Sequence, residues 1–106
     1  MGRFVIAAYK PKPGMEPQLD AVVARHMKVL AAEGLVTDRP AYVMRAADGT
    51  VVEVFEWRSA EAIEQAHKSP AVGQLWGEFA AVCDYVPLVT LNEAQQPFAE
   101  FEPLQL

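Results

Sequence analysis

The sequence predicts a small α+β protein with a ferredoxin-like βαββαβ fold, in which helices lie on one face of an antiparallel sheet. Three observations support this prediction. Apolar residues recur with strand spacing and helix spacing in that order of elements. An Asp-Gly pair separates two apolar segments near the middle of the chain. The 106 residues, 52% of them hydrophobic, are enough for one domain with one core.

The first strand and the first helix follow from the apolar pattern. Residues 4–10 form a short apolar segment that ends at Pro11, as expected of a strand buried on both faces. Over about residues 16–33, apolar side chains recur at intervals of three and four, which predicts a helix. Its apolar face includes His26, and Gly34 is placed to end it.

The centre of the chain predicts a β-hairpin. Residues 42–46 and 50–57 are rich in β-branched and aromatic side chains and flank Asp48 and Gly49. A two-residue Asp-Gly turn accepts positive φ angles and gives the strands the twist they prefer.

The second helix is predicted in two pieces. Ser59 is a good N-cap for a helix that runs through His67. Ser69 and Pro70 then supply a second N-cap with proline at the first helical position. The last strand of the fold is predicted over residues 86–91.

The sheet is expected to be apolar on both faces although helices cover only one. On the second hairpin strand, Phe55 and Trp57 lie on one face and Val52 and Val54 on the other. A second copy of the chain is the simplest cover for the open face, so we expect a homodimer.

Residues 1–91 are predicted to form the ferredoxin-like domain, and residues 92–106 a C-terminal extension that docks on the dimer. Phe98, Phe101 and Leu104 are apolar, so we expect residues 97–104 to lie extended across the interface. There they would follow the outer hairpin strand of the partner subunit.

Charge and composition exclude several classes of partner. The net charge is −5, and residues 69–106 contain five acids and no Lys or Arg. Without a basic cluster, neither nucleic acid nor an anionic membrane surface is expected to bind. No apolar run is long enough to span a membrane, and the N-terminus does not resemble a secretory signal. A single cysteine, Cys83, predicts a reducing cytoplasm and an inert core thiol.

Two segments carry a resemblance to a known family. Residues 53–62 read EVFEWRSAEA and residues 66–72 read AHKSPAV. This pattern resembles the dimeric α+β barrel superfamily, in particular proteins like the antibiotic-biosynthesis monooxygenases, and the likeness covers roughly residues 3–91. The resemblance implies a homodimer and, for some members, oxygenation of aromatic polyketides or quinols without a cofactor.

Haem degradation, another activity in this superfamily, does not fit this sequence. The haem-degrading members use an Asn on the first strand, a Trp on the second helix and a His on the third helix. Here residues 4–10 contain no Asn, and the position of the third-helix histidine corresponds to Trp76. No haem is therefore expected.

Two histidines are the candidate catalytic residues. His67 ranks above His26, because its segment carries the resemblance. Imidazole titrates near neutral pH and can act as a base or as a partner for an oxyanion. Each also has a purely structural interpretation: His26 as a core histidine, and His67 as a partner of the helix dipole.

A set of large aromatic residues is predicted to bind a flat ligand or to belong to the core. The candidates are Trp57, Trp76, Tyr42 and Phe55. No phosphate-binding loop or metal-ligand spacing occurs, and the two histidines are 41 positions apart, so no cofactor and no metal are expected.

Two acids on the second hairpin strand complete the candidate residues. Glu53 and Glu56 point to opposite faces of the sheet and cannot act as one acid pair. One of them must lie on the covered face or at the dimer interface, where it needs a partner such as Arg45.

Two functions remain open at this point. The first is a cofactor-independent monooxygenase that acts on a small aromatic or quinol-like substrate in an apolar pocket between helices and sheet. The alternative is a non-catalytic dimeric binding or accessory protein for a small hydrophobic ligand.

Overall fold

Three helices lie on one face of a five-stranded antiparallel sheet in the computed structural model, which describes residues 2–106. In chain order the elements are β1 (Arg3–Pro11), α1 (Glu16–Ala32), β2 (Tyr42–Arg45), β3 (Val51–Trp57), α2 (Ala60–Ala66), α3 (Pro70–Val82), β4 (Cys83–Val86) and β5 (Glu102–Pro103). The strand order is β4-β1-β3-β2-β5. The predicted ferredoxin-like α+β fold, with its second helix in two pieces, is confirmed.

The pairing of β1 with β3 decides which side chains meet the helices. The two strands run antiparallel from the pair Arg3 and Trp57 to the pair Tyr9 and Val51. Because paired residues share a face, Tyr9 and Val51 point to the helices together with Phe55. The same face of the sheet thus carries both the core and the candidate site.

Local sequence signals place the helices as predicted. Ser59 Oγ accepts a hydrogen bond from Ala62 N at 3.1 Å, and Ser69 Oγ accepts one from Val72 N at 3.3 Å. Each cap satisfies a backbone N–H that the first helical turn leaves without a partner. α1 is followed by Gly34 at φ 70°, a conformation that favours glycine.

The hairpin loop is longer than the predicted two-residue turn. Ala46 N donates to Thr50 O at 2.8 Å, and Gly49 N donates to Ala46 O at 3.0 Å. Three residues, 47–49, therefore lie between the hydrogen-bonded residues Ala46 and Thr50. Of these three, only Gly49 has a positive φ, of 95°. Asp48 instead accepts a hydrogen bond from Thr50 N at 2.9 Å, as a side chain in a type I turn with a following bulge can do.

The prediction of a last strand over residues 86–91 is wrong. The fourth strand, β4, comes earlier, because Cys83 already has extended dihedral angles and pairs with Pro11. Pro87 has no N–H to donate, and the ladder ends before it. Residues 88–90 form a short 3₁₀ turn, in which Thr90 N donates to Pro87 O at 3.0 Å.

The C-terminal segment covers part of the second sheet face. Leu91 is buried there against Ala8 and Val52, and Phe101 packs against the same cluster. The following strand, β5, pairs with Met44 and Arg45 of its own chain.

The tail therefore follows the predicted outer strand, but in the same chain rather than in a partner. Phe98 is 86% exposed, and Leu104 is half-buried against the core. The docking of residues 92–106 on a dimer stays a prediction.

We expect Cys83 to react slowly with thiol reagents in the folded protein. Burial, and then the charge of Asp84, raise the pKa of its thiol to about 11. At about pH 8 only about one thiol in a thousand is then ionised, and the thiolate is the nucleophile. The measurement compares the rate of modification by an aromatic disulfide reagent in the native and the urea-unfolded chain. Equal rates in the two states would contradict this expectation.

None of the helices in the described part of the chain has the length and apolar character needed to cross a membrane.

Candidate functional site

A cavity of about 420 Å³ lies between the helix-covered face of the sheet and α2 and α3. Ligand pockets in proteins usually have about 300–1,000 Å³, so this one can hold a small organic molecule. Six of its eleven wall residues are Phe, Trp or Tyr: Tyr9, Phe55, Trp57, Trp76, Phe79 and Tyr85. Tyr85 is 58% exposed and His67, a further wall residue, is also exposed, so these two mark the opening toward solvent.

The cavity brings together five of the six residues that the sequence analysis selected. They are His26, His67, Phe55, Trp57 and Trp76. Val5, Ala7 and Ile63 fill the wall between the rings. Apolar side chains thus surround two imidazoles.

Tyr42 is separated from the other candidates. It pairs with Val54 in the ladder between β2 and β3, and paired residues share a face of the sheet. That face is the one without helices, and Tyr42 is 67% exposed on it. Phe55, the neighbour of Val54, points the opposite way into the cavity.

His67 follows the last residue of α2 and caps its C-terminus. Its Nδ1 is 2.8 Å from Ile63 O, and because a carbonyl only accepts, Nδ1 donates and Nε2 is the free acceptor. The ring packs edge-on against Trp76, with centroids 5.0 Å apart. His67 therefore has the structural role expected at a helix end and also borders the cavity.

His26 is the more deeply placed of the two imidazoles. It lies on the buried face of α1 and is 3% exposed. Its ring stands edge-on to Phe55 and to Phe79, at centroid distances of 5.2 Å and 5.1 Å. These two rings prevent the imidazole from turning.

Glu53 is a buried carboxyl group that the sequence analysis did not select as a site residue. It is 0% exposed, and its Oε1 lies 2.7 Å from His26 Nδ1. The hydroxyl of Tyr9 donates to the same oxygen at 2.8 Å. The expected partner Arg45 binds Asp20 instead, with both oxygens within 3.0 Å of Nη2.

The phenol of Tyr9 is held in its protonated form. Burial raises its pKa far above the usual value, and the adjacent Glu53 carboxylate raises it further. The Tyr9 hydroxyl is consequently a fixed hydrogen-bond donor below the cavity. Burial also raises the pKa of Tyr85 at the opening.

Groups that would anchor a charged cofactor are not found at this cavity. No Lys or Arg is among the described residues that line it. Within residues 2–106, no three His, Cys, Asp or Glu side chains come together in a way that could hold a metal ion.

The fold and the site together define a ferredoxin-like α+β domain with an apolar cavity and two histidines. A solved structure with a similar fold is that of SnoaB, a cofactor-independent oxygenase from Streptomyces nogalater, with a TM-score of 0.65. The two sequences are 16% identical, and the match covers 80% of this chain and 85% of that chain. No family model and no curated protein matches the sequence. The likeness to SnoaB establishes the shared fold.

Proposed function

We propose that this protein is a cofactor-independent monooxygenase of the antibiotic-biosynthesis type that acts on a small aromatic or quinol-like substrate. The single observation that carries the proposal is the cavity of about 420 Å³, with its aromatic wall and two imidazoles. Its support from outside the chain is the shared fold with SnoaB, which is described as a cofactor-independent oxygenase.

The wall of the cavity suits a flat, uncharged ring system. Aromatic side chains such as Trp57 and Trp76 attract ring edges and faces of a ligand. A substrate with a hydroxyl group would find its polar partners in His26 and His67, the imidazoles of the wall. Tyr42 takes no part in this proposal, because it lies on the opposite face of the sheet.

The substrate itself would supply the electrons in this reaction. Loss of a proton from a hydroxyl group leaves an electron-rich oxyanion, which transfers electrons to dioxygen. For a dihydroquinone, one oxygen atom enters the ring and the other leaves as water, so dihydroquinone and dioxygen give hydroxyquinone and water. For an anthrone, the ring CH₂ becomes a carbonyl and its two hydrogens leave in the water.

The protein would contribute a base, an oxyanion partner and a water-poor site. His26 and His67 are the candidates for the base, and the imidazolium that forms on deprotonation of the substrate then donates its new N–H to the oxyanion. The aromatic wall strengthens these polar interactions because it keeps the local dielectric low.

Oxygen uptake tests this proposal. Chelator-treated protein is expected to consume dioxygen with a panel of dihydroquinones and anthrones, above a heat-denatured control. Ala7→Phe adds a ring inside the cavity and is expected to reduce uptake to the level of the control. Ala80→Phe, a matched change on an exposed position of α3, should leave uptake unchanged. Absence of uptake with the whole panel would overturn the proposal.

The alternative function is a dimeric binding or accessory protein for a small hydrophobic ligand. It is favoured by the hydrogen bonds of both imidazoles, since Nδ1 of His26 and of His67 already has a partner inside the chain. Replacing His26 and His67 by Phe separates the two functions. If the variant still binds the ligand but has lost turnover, the protein is an oxygenase. If the wild-type protein binds the ligand without turnover, it is a binding protein.

We also propose that a second copy of the chain covers the open part of the sheet. Three large apolar side chains are exposed there: Phe4 by 65%, Ile6 by 51% and Tyr42 by 67%. The C-terminal segment leaves this part of the face uncovered and packs around Ala8 instead. Contiguous exposed apolar surface of this kind is typical of protein interfaces.

The reducing cytoplasm remains the proposed compartment, because Cys83 is a free thiol.

A further inference from the structure

Glu53 is an acid placed where burial is costly. It lies at the centre of β3, fully buried, on the face that carries the apolar core. Its second oxygen, Oε2, has no hydrogen-bond partner within residues 2–106. A buried carboxyl group with an unpaired oxygen lowers stability, and such groups are concentrated at functional sites. Its partners within residues 2–106, Tyr9 and His26, both line the cavity.

The hydrogen bonds of Glu53 define the tautomer of His26. The Tyr9 hydroxyl donates to Oε1, so this oxygen is an acceptor. Because Oε1 acts as an acceptor, we assign the hydrogen between Oε1 and His26 to Nδ1 of the imidazole. A neutral imidazole with this tautomer has a lone pair on Nε2, and the hydrogen bond that His26 makes within the described residues is the one at Nδ1.

The surroundings of His26 leave Nε2 for a ligand. Phe55 and Phe79 hold the ring edge-on, and Glu53 occupies Nδ1. The ring nevertheless lines the cavity, where the other titratable side chains are Tyr9 from β1, Tyr85 from β4 and His67 after α2.

We propose that His26 is the base of the cavity, and that Glu53 and Tyr9 are positioning residues that direct its Nε2 toward a phenolic hydroxyl of the ligand. In this step the ligand O–H bond breaks and an N–H bond forms at Nε2. The products are an aryloxide and an imidazolium, and the Glu53 carboxylate compensates the new positive charge. The inference rests on the proposed function for the class of ligand.

His67 is less suited to this role. Its Nδ1 donates to a backbone carbonyl, whereas Nδ1 of His26 faces a carboxylate that can balance a positive charge. It is also exposed, so water screens the charges that it would stabilise. Within the proposed function, His67 therefore lines the opening of the cavity and is not the base.

The first test is the tautomer of His26 in the ligand-free protein. Nitrogen NMR of histidine-labelled protein should show Nδ1 protonated and Nε2 unprotonated in the neutral imidazole. In Glu53→Leu no side-chain oxygen remains to accept from Nδ1, so the preference for the Nδ1 proton is expected to be lost. A native protein with the proton on Nε2 would overturn the proposal, and this result does not depend on whether the variant folds.

The second test is the ionisation of a bound phenol, with para-nitrophenol as the probe because its anion absorbs visible light. We expect the anion-to-phenol ratio to be at least about tenfold higher for bound than for free probe at the same pH, which corresponds to about 1.4 kcal/mol. Glu53→Gln should abolish this gain. Glu56→Gln, the same change on the opposite face of β3, should retain it. A gain that survives in Glu53→Gln would overturn the proposal.

A merely structural hydrogen bond from Glu53 would also fix the tautomer of His26, but it would leave the ionisation of the bound probe unchanged. The tests are also separate from oxygen uptake. If the tautomer and the probe behave as expected while no substrate is oxygenated, the proposed function fails and the assignment of His26 stands. If uptake occurs and Glu53→Gln leaves the ionisation of the probe unchanged, the assignment fails and the function stands.

Discussion

Phe79→Ala is expected to lower the free energy of unfolding by about 3–5 kcal/mol, the usual cost of deleting a buried phenylalanine ring. Phe79 is 1% exposed and packs against Tyr9 at 4.8 Å and His26 at 5.1 Å, measured between ring centroids. Its removal would enlarge the cavity and release the ring of His26. Since small domains have about 5–15 kcal/mol of total stability, this loss should be visible as a large shift of the urea midpoint.

The matched control is Val89→Ala. Val89 is 67% exposed, so its substitution should change the free energy of unfolding by less than about 0.5 kcal/mol. If Phe79→Ala costs as little as this control, the ring of Phe79 is not part of the core in solution.

Ile6→Glu is expected to raise the dissociation constant of the proposed homodimer by at least about 100-fold. Ile6 follows Phe4 on the outward face of β1, and Val54 of β3 lies between Ile6 and Tyr42 on that face. A symmetric interface would bury two copies of the new carboxylate, and each costs several kcal/mol without a partner. Sedimentation at micromolar concentration measures the change.

Val89→Glu again provides the control, because it adds the same charge at an exposed apolar position on the 3₁₀ turn after β4. It should leave the dissociation constant unchanged. A native protein that sediments as a monomer would contradict the proposed dimer, and equal effects of the two variants would place the interface elsewhere.

The helices and the long strands could be predicted because their signals are local. Apolar spacing, the two serine caps and Gly34 all act within a few residues of the element that they define. The last strand could not be placed in this way. Residues 83–86 and 86–91 are both apolar enough for a strand, and pairing with β1 selects the first.

The strand pattern was enough to predict that Glu53 is buried, but it was not enough to predict which residues bind it. The strand pattern predicts Phe55 and Trp57 on one face, and Glu53 has the same parity on β3. An acid at that position had to be buried. Its partners could not be predicted, because His26 and Tyr9 lie 27 and 44 positions away. Tyr9 meets Glu53 through the register of β1 and β3, and His26 meets it through the packing of α1 on the sheet.

The pairing of the tail with β2 has a consequence for the behaviour of the protein in concentrated solution. An unpaired strand edge is a template on which another chain can add its own strand and begin to aggregate. Here the long strands β1 and β3 are internal, and β5 covers part of β2. The outermost strands are only four and two residues long, and the first of them presents Asp84. Removal of the C-terminal residues would thus leave the edge of β2 unpaired, and this would favour fibrous or amorphous association over a defined oligomer.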